Sequence, residues 1–125
     1  MRQVSVQNLT HPLAHPLSVG YAHSFWSRLK GLMFTKPVAS DQGLLLVQDR
    51  ENRLDASIHM FFVNYDLGTI WLDGRGMVVD RCLARRWRPY YAPARPARYI
   101  LEINPSRLAE FLPGDQVQFE NVSPG

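Results

Sequence analysis

His59 is the one ionisable side chain in a nearly apolar run, Ser57-Ile58-His59-Met60-Phe61-Phe62-Val63. A run of that composition has to be buried, and an imidazole carried inward with it must find a hydrogen bond or stay neutral. Two chemistries follow. The ring is a core histidine satisfied by a backbone carbonyl, or it is a general base facing a site. A base needs a carboxylate to orient it, and two acids qualify: Glu102, inside the apolar stretch Tyr99-Ile100-Leu101-Glu102-Ile103, and Asp66. Arg28, flanked by Trp26 and Leu29, is the natural ion-pair partner for Glu102, and such a pair is structural as readily as it is a site. The catalytic candidates are therefore His59, Glu102 and Asp66. Arg28, His59 and Glu102 are the expected ligand contacts within the sheet.

Arg85-Arg86-Trp87-Arg88-Pro89-Tyr90-Tyr91 is the second segment with chemistry in it. Arginines hold phosphates and aromatic rings stack on bases or sugars, which adds Trp87 and Arg88 to the ligand candidates. The plainer reading is a solvated loop pinned to the domain by its aromatic side chains. Other constellations are weak. His11 and His15 are four apart, but each precedes a proline, which disfavours the helix that would bring them together on a metal. Ser57 stands two residues before His59 with no orienting acid in view. There is no Gly-rich phosphate loop and no Gly-x-Ser-x-Gly elbow. No metal and no cofactor are expected.

At 125 residues the chain is long enough for a core of its own, and 46% hydrophobic against 20% charged is a globular balance. Residues 1–125 are read as a single domain. Cys82 is the one cysteine, which rules out an internal disulfide; in an apolar stretch it reads as a small core residue. The N-terminus has no hydrophobic leader and no stretch is long enough to span a bilayer, so the expected compartment is the cytoplasm. The charge is unevenly spread. Arg81, Arg85, Arg86, Arg88, Arg95 and Arg98 fall between positions 81 and 98 without one acid, and these six charges against an overall +3 leave the remainder at −3.

The elements that must position these residues are mostly strands. Val4 and Val6 alternate with polar neighbours, residues 17–21 form a second strand, and Gly43 to Val47 is a short buried one. Residues 48–56 are polar and read as a loop, followed by the run 57–63 as a central strand covered on both faces. Thr69 to Val79 reads as a hairpin turning at Asp73-Gly74. Prolines 89, 93 and 96 make 84–97 an extended loop. Tyr99–Ile103 and Val117–Phe119 complete the set. Two short helices are expected, one beginning at Ser24 and one at Asn104-Pro105. The fold class is mainly β, an antiparallel sandwich or partly open barrel.

The ordered series Arg28-Leu29-Lys30-Gly31-Leu32-Met33, Gly43-Leu44-Leu45-Leu46, Ser57 to Phe61, Leu72 to Val78, Leu101-Glu102-Ile103 and Gly114-Asp115 resembles the domain of unknown function 192 family over residues 24–120. The resemblance implies a small, mainly-β, sandwich-like prokaryotic protein with the Arg-x-x-Gly-Leu-Met segment on a short helix. It implies no particular activity. Members carry Pro-hydrophobic-Asp after the strand that here holds His59; this chain has Asp66-Leu67-Gly68, so the family's acid is replaced by Gly68. Val63 stands where members carry Met.

Three functions remain in view. The first is a binding or accessory module for a small anionic or carbohydrate-like ligand, or for a protein partner, at a groove near His59, Arg28 and Glu102. The second is a hydrolase-like or lyase-like enzyme using His59 with Glu102 or Asp66. The third, less favoured, is binding of nucleic acid or another anionic polymer through residues 81–98.

Overall fold

A computed structural model describes residues 2–23, 35–52 and 56–122. Seven strands lie in one sheet: β1 (Gln3–Asn8), β2 (Ser18–Ala22), β3 (Gln42–Asn52), β4 (Leu67–Leu72), β5 (Val78–Ala84), β6 (Ala97–Ile103) and β7 (Val117–Asn121). Their spatial order is β5-β4-β6-β3-β2-β1-β7. The sheet curls until its edges approach each other: Met77 bridges Gln116, the Val78 amide donates to the Asp115 carbonyl at 2.9 Å and the Gly114 amide to Val78 at 2.8 Å. Of the two architectures expected, the partly open barrel is the one formed.

Side-chain alternation along the central strands produces two cores. Leu45, Val47, Ile70, Leu72, Leu101 and Ile103 point inward and meet Val4, Val6, Val19, Val78, Phe111 and Val117. Leu44, Leu46, Leu67, Trp71 and Ile100 point outward and are covered by Ala56, Ile58, Met60, Val63 and Tyr65. The Trp71 indole donates to the Ala56 carbonyl at 2.7 Å, which fixes this cover to the sheet.

Several expectations hold. The Thr69–Val79 hairpin forms between β4 and β5. Its turn is closed by the Asp73 carboxylate, which accepts from the amides of Arg75 at 2.9 Å and Met77 at 3.0 Å. Gly76 sits at φ 82°, and a Cβ there would lie 2.4 Å from the Val117 carbonyl, so only glycine fits. The segment 85–96 is a loop, as its prolines require.

Four expectations are corrected. The sheet is not wholly antiparallel: β2 pairs with β3 in parallel, since a long crossover separates them. β3 runs on through the polar residues to Asn52, which pairs with Ala97 beyond an irregularity in register. The helix at Asn104 is a 3-10 helix, Pro105–Glu110, with the Asn104 side chain accepting from the Ser106 amide at 2.9 Å; the helix expected from Ser24 lies outside the described residues. The run 57–63 is not a strand. Ile58 alone bridges Tyr91, and the chain then turns at 60–63 with Phe62 at φ 61°. This turn breaks the alternation: Ile58, Met60 and Val63 are buried, His59 is half-buried, and Phe61 and Phe62 are exposed.

Candidate functional site

β6 lies between β3 and β4, and its outward residues are Ile100 and Glu102, as the alternation predicts. Glu102 is opposite Leu44 on β3 and Thr69 on β4; Thr69 in turn is opposite Cys82 on β5. Register partners share a face. A row of polar groups therefore crosses the outer face of the sheet, from Glu102 to Thr69 to Cys82, inside the outer apolar layer.

Burial decides the chemistry of this row. Glu102 is 5% exposed, and loss of water around the carboxyl pushes its pKa up to about 7, so its protonated and ionised forms are both populated near neutral pH. Thr69 is 0% exposed, and its Oγ1 has no hydrogen-bond partner among the described residues. Cys82 is half-buried, and its thiol is pushed up to about 11, first by burial and then by the charge of Asp80. Tyr65 belongs to the same layer. Burial raises its phenol most, a hydrogen bond with the Thr35 hydroxyl at 2.5 Å opposes that, and the Glu102 charge adds to the rise. The arrangement places a protonatable carboxyl and three hydroxyls (Thr69, Tyr65 and Thr35) in an otherwise apolar layer. A neutral carboxyl both donates and accepts, so such a set suits a neutral, hydroxyl-rich group better than a strong anion.

The other predicted residues fall as follows. His59 is beside the layer through its neighbours Ile58 and Met60, but its Nδ1 accepts from the Phe61 amide at 3.2 Å. Among the described residues no bond joins His59 to Glu102 or Asp66. Asp66 accepts from the Arg86 amide at 2.9 Å and from Arg86 Nε at 3.2 Å. The backbone bond to Arg86 is the main reason its carboxyl lies below the usual range. Trp87 and Arg88 occupy an exposed turn in which Trp87 Nε1 donates to Asn64 Oδ1 at 2.8 Å. Arg28 lies outside the described residues. Gly68 is opposite Ile103 and packs against Leu108, with a Cβ position 3.3 Å from each side chain. It belongs to the inward parity of β4, so the acid that the resemblance puts there would not join the Glu102 row.

Sequence reasoning missed Thr69, Tyr65 and Thr35, whose relation to Glu102 depends on register and on the cover. It also missed a second polar cluster. Asp115, 2% exposed, accepts from Asn8 Nδ2 at 2.8 Å, from the Leu112 amide at 3.0 Å and pairs with His11 Nδ1 at 2.9 Å. Burial works to raise Asp115, and these hydrogen bonds outweigh it, leaving the carboxyl lowered. Arg107 is likewise buried, donating to the carbonyls of Ser40 at 2.7 Å and His15 at 2.8 Å.

Comparison with known proteins agrees with the geometry at the level of fold. A family model described as "Uncharacterized ACR" matches residues 6–119. The UPF0127 protein of Thermococcus gammatolerans is 48% identical over 84 residues, covering 67% of this chain and 53% of that protein. The chain thus spans about half the length of that relative. UPF0127 protein PF1050 of Pyrococcus furiosus is 34% identical over 118 residues, covering 92% of this chain and 97% of the relative. A crystal structure of a protein of unknown function from Novosphingobium aromaticivorans superposes with a TM-score of 0.78 at 23% identity, over 93% of this chain and 83% of its own.

Proposed function

Because the chain belongs to the domain of unknown function 192 family, whose membership carries a fold rather than a reaction, we propose a function from its own outer-face residues: a binding module for a small, hydroxyl-rich, carbohydrate-like ligand. The ligand contacts are Glu102 and Thr69, with the Tyr65–Thr35 pair beside them. The observation that carries this reading is the Thr69 hydroxyl, fully buried and without a partner among the described residues, in register with a buried carboxyl. An unfilled buried hydroxyl destabilises a fold, and a ligand hydroxyl would satisfy it. Glu102, whose pKa is pushed up to about 7, would in its protonated form donate to one ligand oxygen and accept from another. His59 offers its Nε2–H in this reading, since Nδ1 already accepts. Arg28 is the sequence's further candidate, and an acidic sugar is the variant of the ligand it would favour. Trp87 and Arg88 stand in the neighbouring exposed turn and are not required.

Calorimetric titration with neutral and acidic monosaccharides, across wild type, Thr69→Val and Glu102→Gln, tests the proposal. The expected result is saturable binding by wild type that weakens about tenfold or more in each variant, the scale of one lost buried hydrogen bond. Equal binding by wild type and both variants would sink it.

A further inference from the structure

Two β-turns stand side by side beyond the outer layer. In the first, the Val63 amide donates to the Met60 carbonyl at 3.2 Å; in the second, the Arg88 amide donates to the Arg85 carbonyl at 3.3 Å. They are stitched together, with the Met60 amide donating to Arg88 at 2.8 Å and the Trp87 amide to Met60 at 2.9 Å. Each carries an aromatic residue at its third position in a left-handed conformation: Phe62 at φ 61° and Trp87 at φ 64°. That corner normally selects glycine or asparagine, and a bulky side chain there is an outlier. The two rings meet edge to face at 5.3 Å. Neither is hidden. Phe61, Phe62, Trp87 and Tyr90 are 44%, 43%, 47% and 59% exposed. Arg85, Arg86 and Arg88 are exposed around them, and residues 81–98 contain no acid. Asp66, the nearby carboxylate, is already held by Arg86.

We propose that this twin turn is a docking surface for a bilayer rich in anionic lipid. Two adjacent strained corners each keep a large ring nearly half exposed, Phe62 at 43% and Trp87 at 47%, although Trp87 Nε1 is anchored to Asn64, and burying the rest of both rings in a second environment would offset that strain. Arginines of one sign around those rings match lipid phosphates, and rings on convex turn tips match the headgroup zone, where Trp, Tyr and Phe partition. The edge-to-face contact, with Phe62 and Trp87 at 64° to one another, leaves no slot for a base between the two rings, and comparison with oligo-thymidylate tests stacking on their outer faces. Attachment would be peripheral, by side chains at the headgroup level.

The test is co-sedimentation of the full chain with vesicles of phosphatidylcholine alone and of phosphatidylcholine mixed with phosphatidylglycerol, at low and moderate salt. Phe62→Gly/Trp87→Gly is the informative variant, because glycine suits both corners and relieves the backbone while deleting the rings. Binding is expected only to the phosphatidylglycerol vesicles, falling with salt. The double variant should melt no lower than wild type yet bind about tenfold more weakly or worse. Should the double variant fail to fold, Arg85→Gln/Arg88→Gln is expected to lose the same binding. Three results would overturn the proposal: no preference for phosphatidylglycerol, unchanged binding by a folded variant, or tighter binding to oligo-thymidylate than to the vesicles.

Discussion

Thr69 on β4 and Glu102 on β6 are direct register partners, so a buried hydroxyl and a buried carboxyl lie next to each other on the outer face of the sheet. Their proximity makes the stability of this protein sensitive to single-atom changes there.

Glu102 gives the pH dependence a definite sign. Its pKa rises from 4.5 in the unfolded chain to about 7 in the fold. The folded state therefore holds the proton more tightly. Its contribution to stability is fully present below pH 4.5, is lost as pH rises to about 7, and is flat above that. Glu102→Gln removes the titration. The variant should gain up to about 3 kcal/mol over wild type on moving from pH 5 to pH 8. Urea unfolding at the two pH values checks this; a constant difference would refute it.

Thr69→Val replaces a buried hydroxyl with a methyl of nearly the same shape. Without ligand it should stabilise by about 1 kcal/mol, because a buried group without a partner is removed. A loss of stability in thermal unfolding would mean that the hydroxyl is already satisfied.

Gly76 and Gly114 separate close approach from backbone strain. Both have positive φ, 82° and 93°, but a Cβ at Gly76 would meet the Val117 carbonyl at 2.4 Å whereas at Gly114 nothing lies within 4 Å. Gly76→Ala should destabilise by about 2–4 kcal/mol and Gly114→Ala by about 1 kcal/mol. Similar values in chemical denaturation would show that conformation alone decides both.

Asp115 closes the barrel edge through Asn8, His11 and the Leu112 amide. Asp115→Ala removes the acceptor of the Leu112 amide and one of two acceptors of Asn8 Nδ2, which keeps the Glu110 carbonyl at 3.0 Å, and should cost about 1–3 kcal/mol. Because its pKa is lowered from 3.8, the wild-type contribution is present above that value and fades as pH drops below it. The gap between wild type and variant should narrow in acid.

Cys82 should be inert. With its thiol pushed up to about 11, only about one molecule in a thousand carries a thiolate at pH 8. Iodoacetamide should label it slowly in buffer and rapidly in denaturant; equal rates would contradict the burial.

Much of this architecture was legible where one local signal sufficed. Alternation at Val4 and Val6, the Asp73-Gly74 turn, the Asn104-Pro105 cap and the outward direction of Glu102 each follow from a few adjacent residues. The run 57–63 was misleading for a physical reason. Its apolar composition correctly demands burial for Ile58, Met60 and Val63, but nothing in the residue type announces a phenylalanine at φ 61°. The rest depends on pairings across long stretches of chain. Asp115 and His11 are 104 positions apart, and Thr69 meets Glu102 only because β6 inserts beside β4 rather than following β5.

β1 lies between β2 and β7, pairing Val4 with Asn121. The opening strand cannot acquire its second neighbour until nearly every other described residue has been made. Pairing β1 with a strand more than a hundred positions away raises the contact order, which favours slow, late-closing assembly over early local zippering.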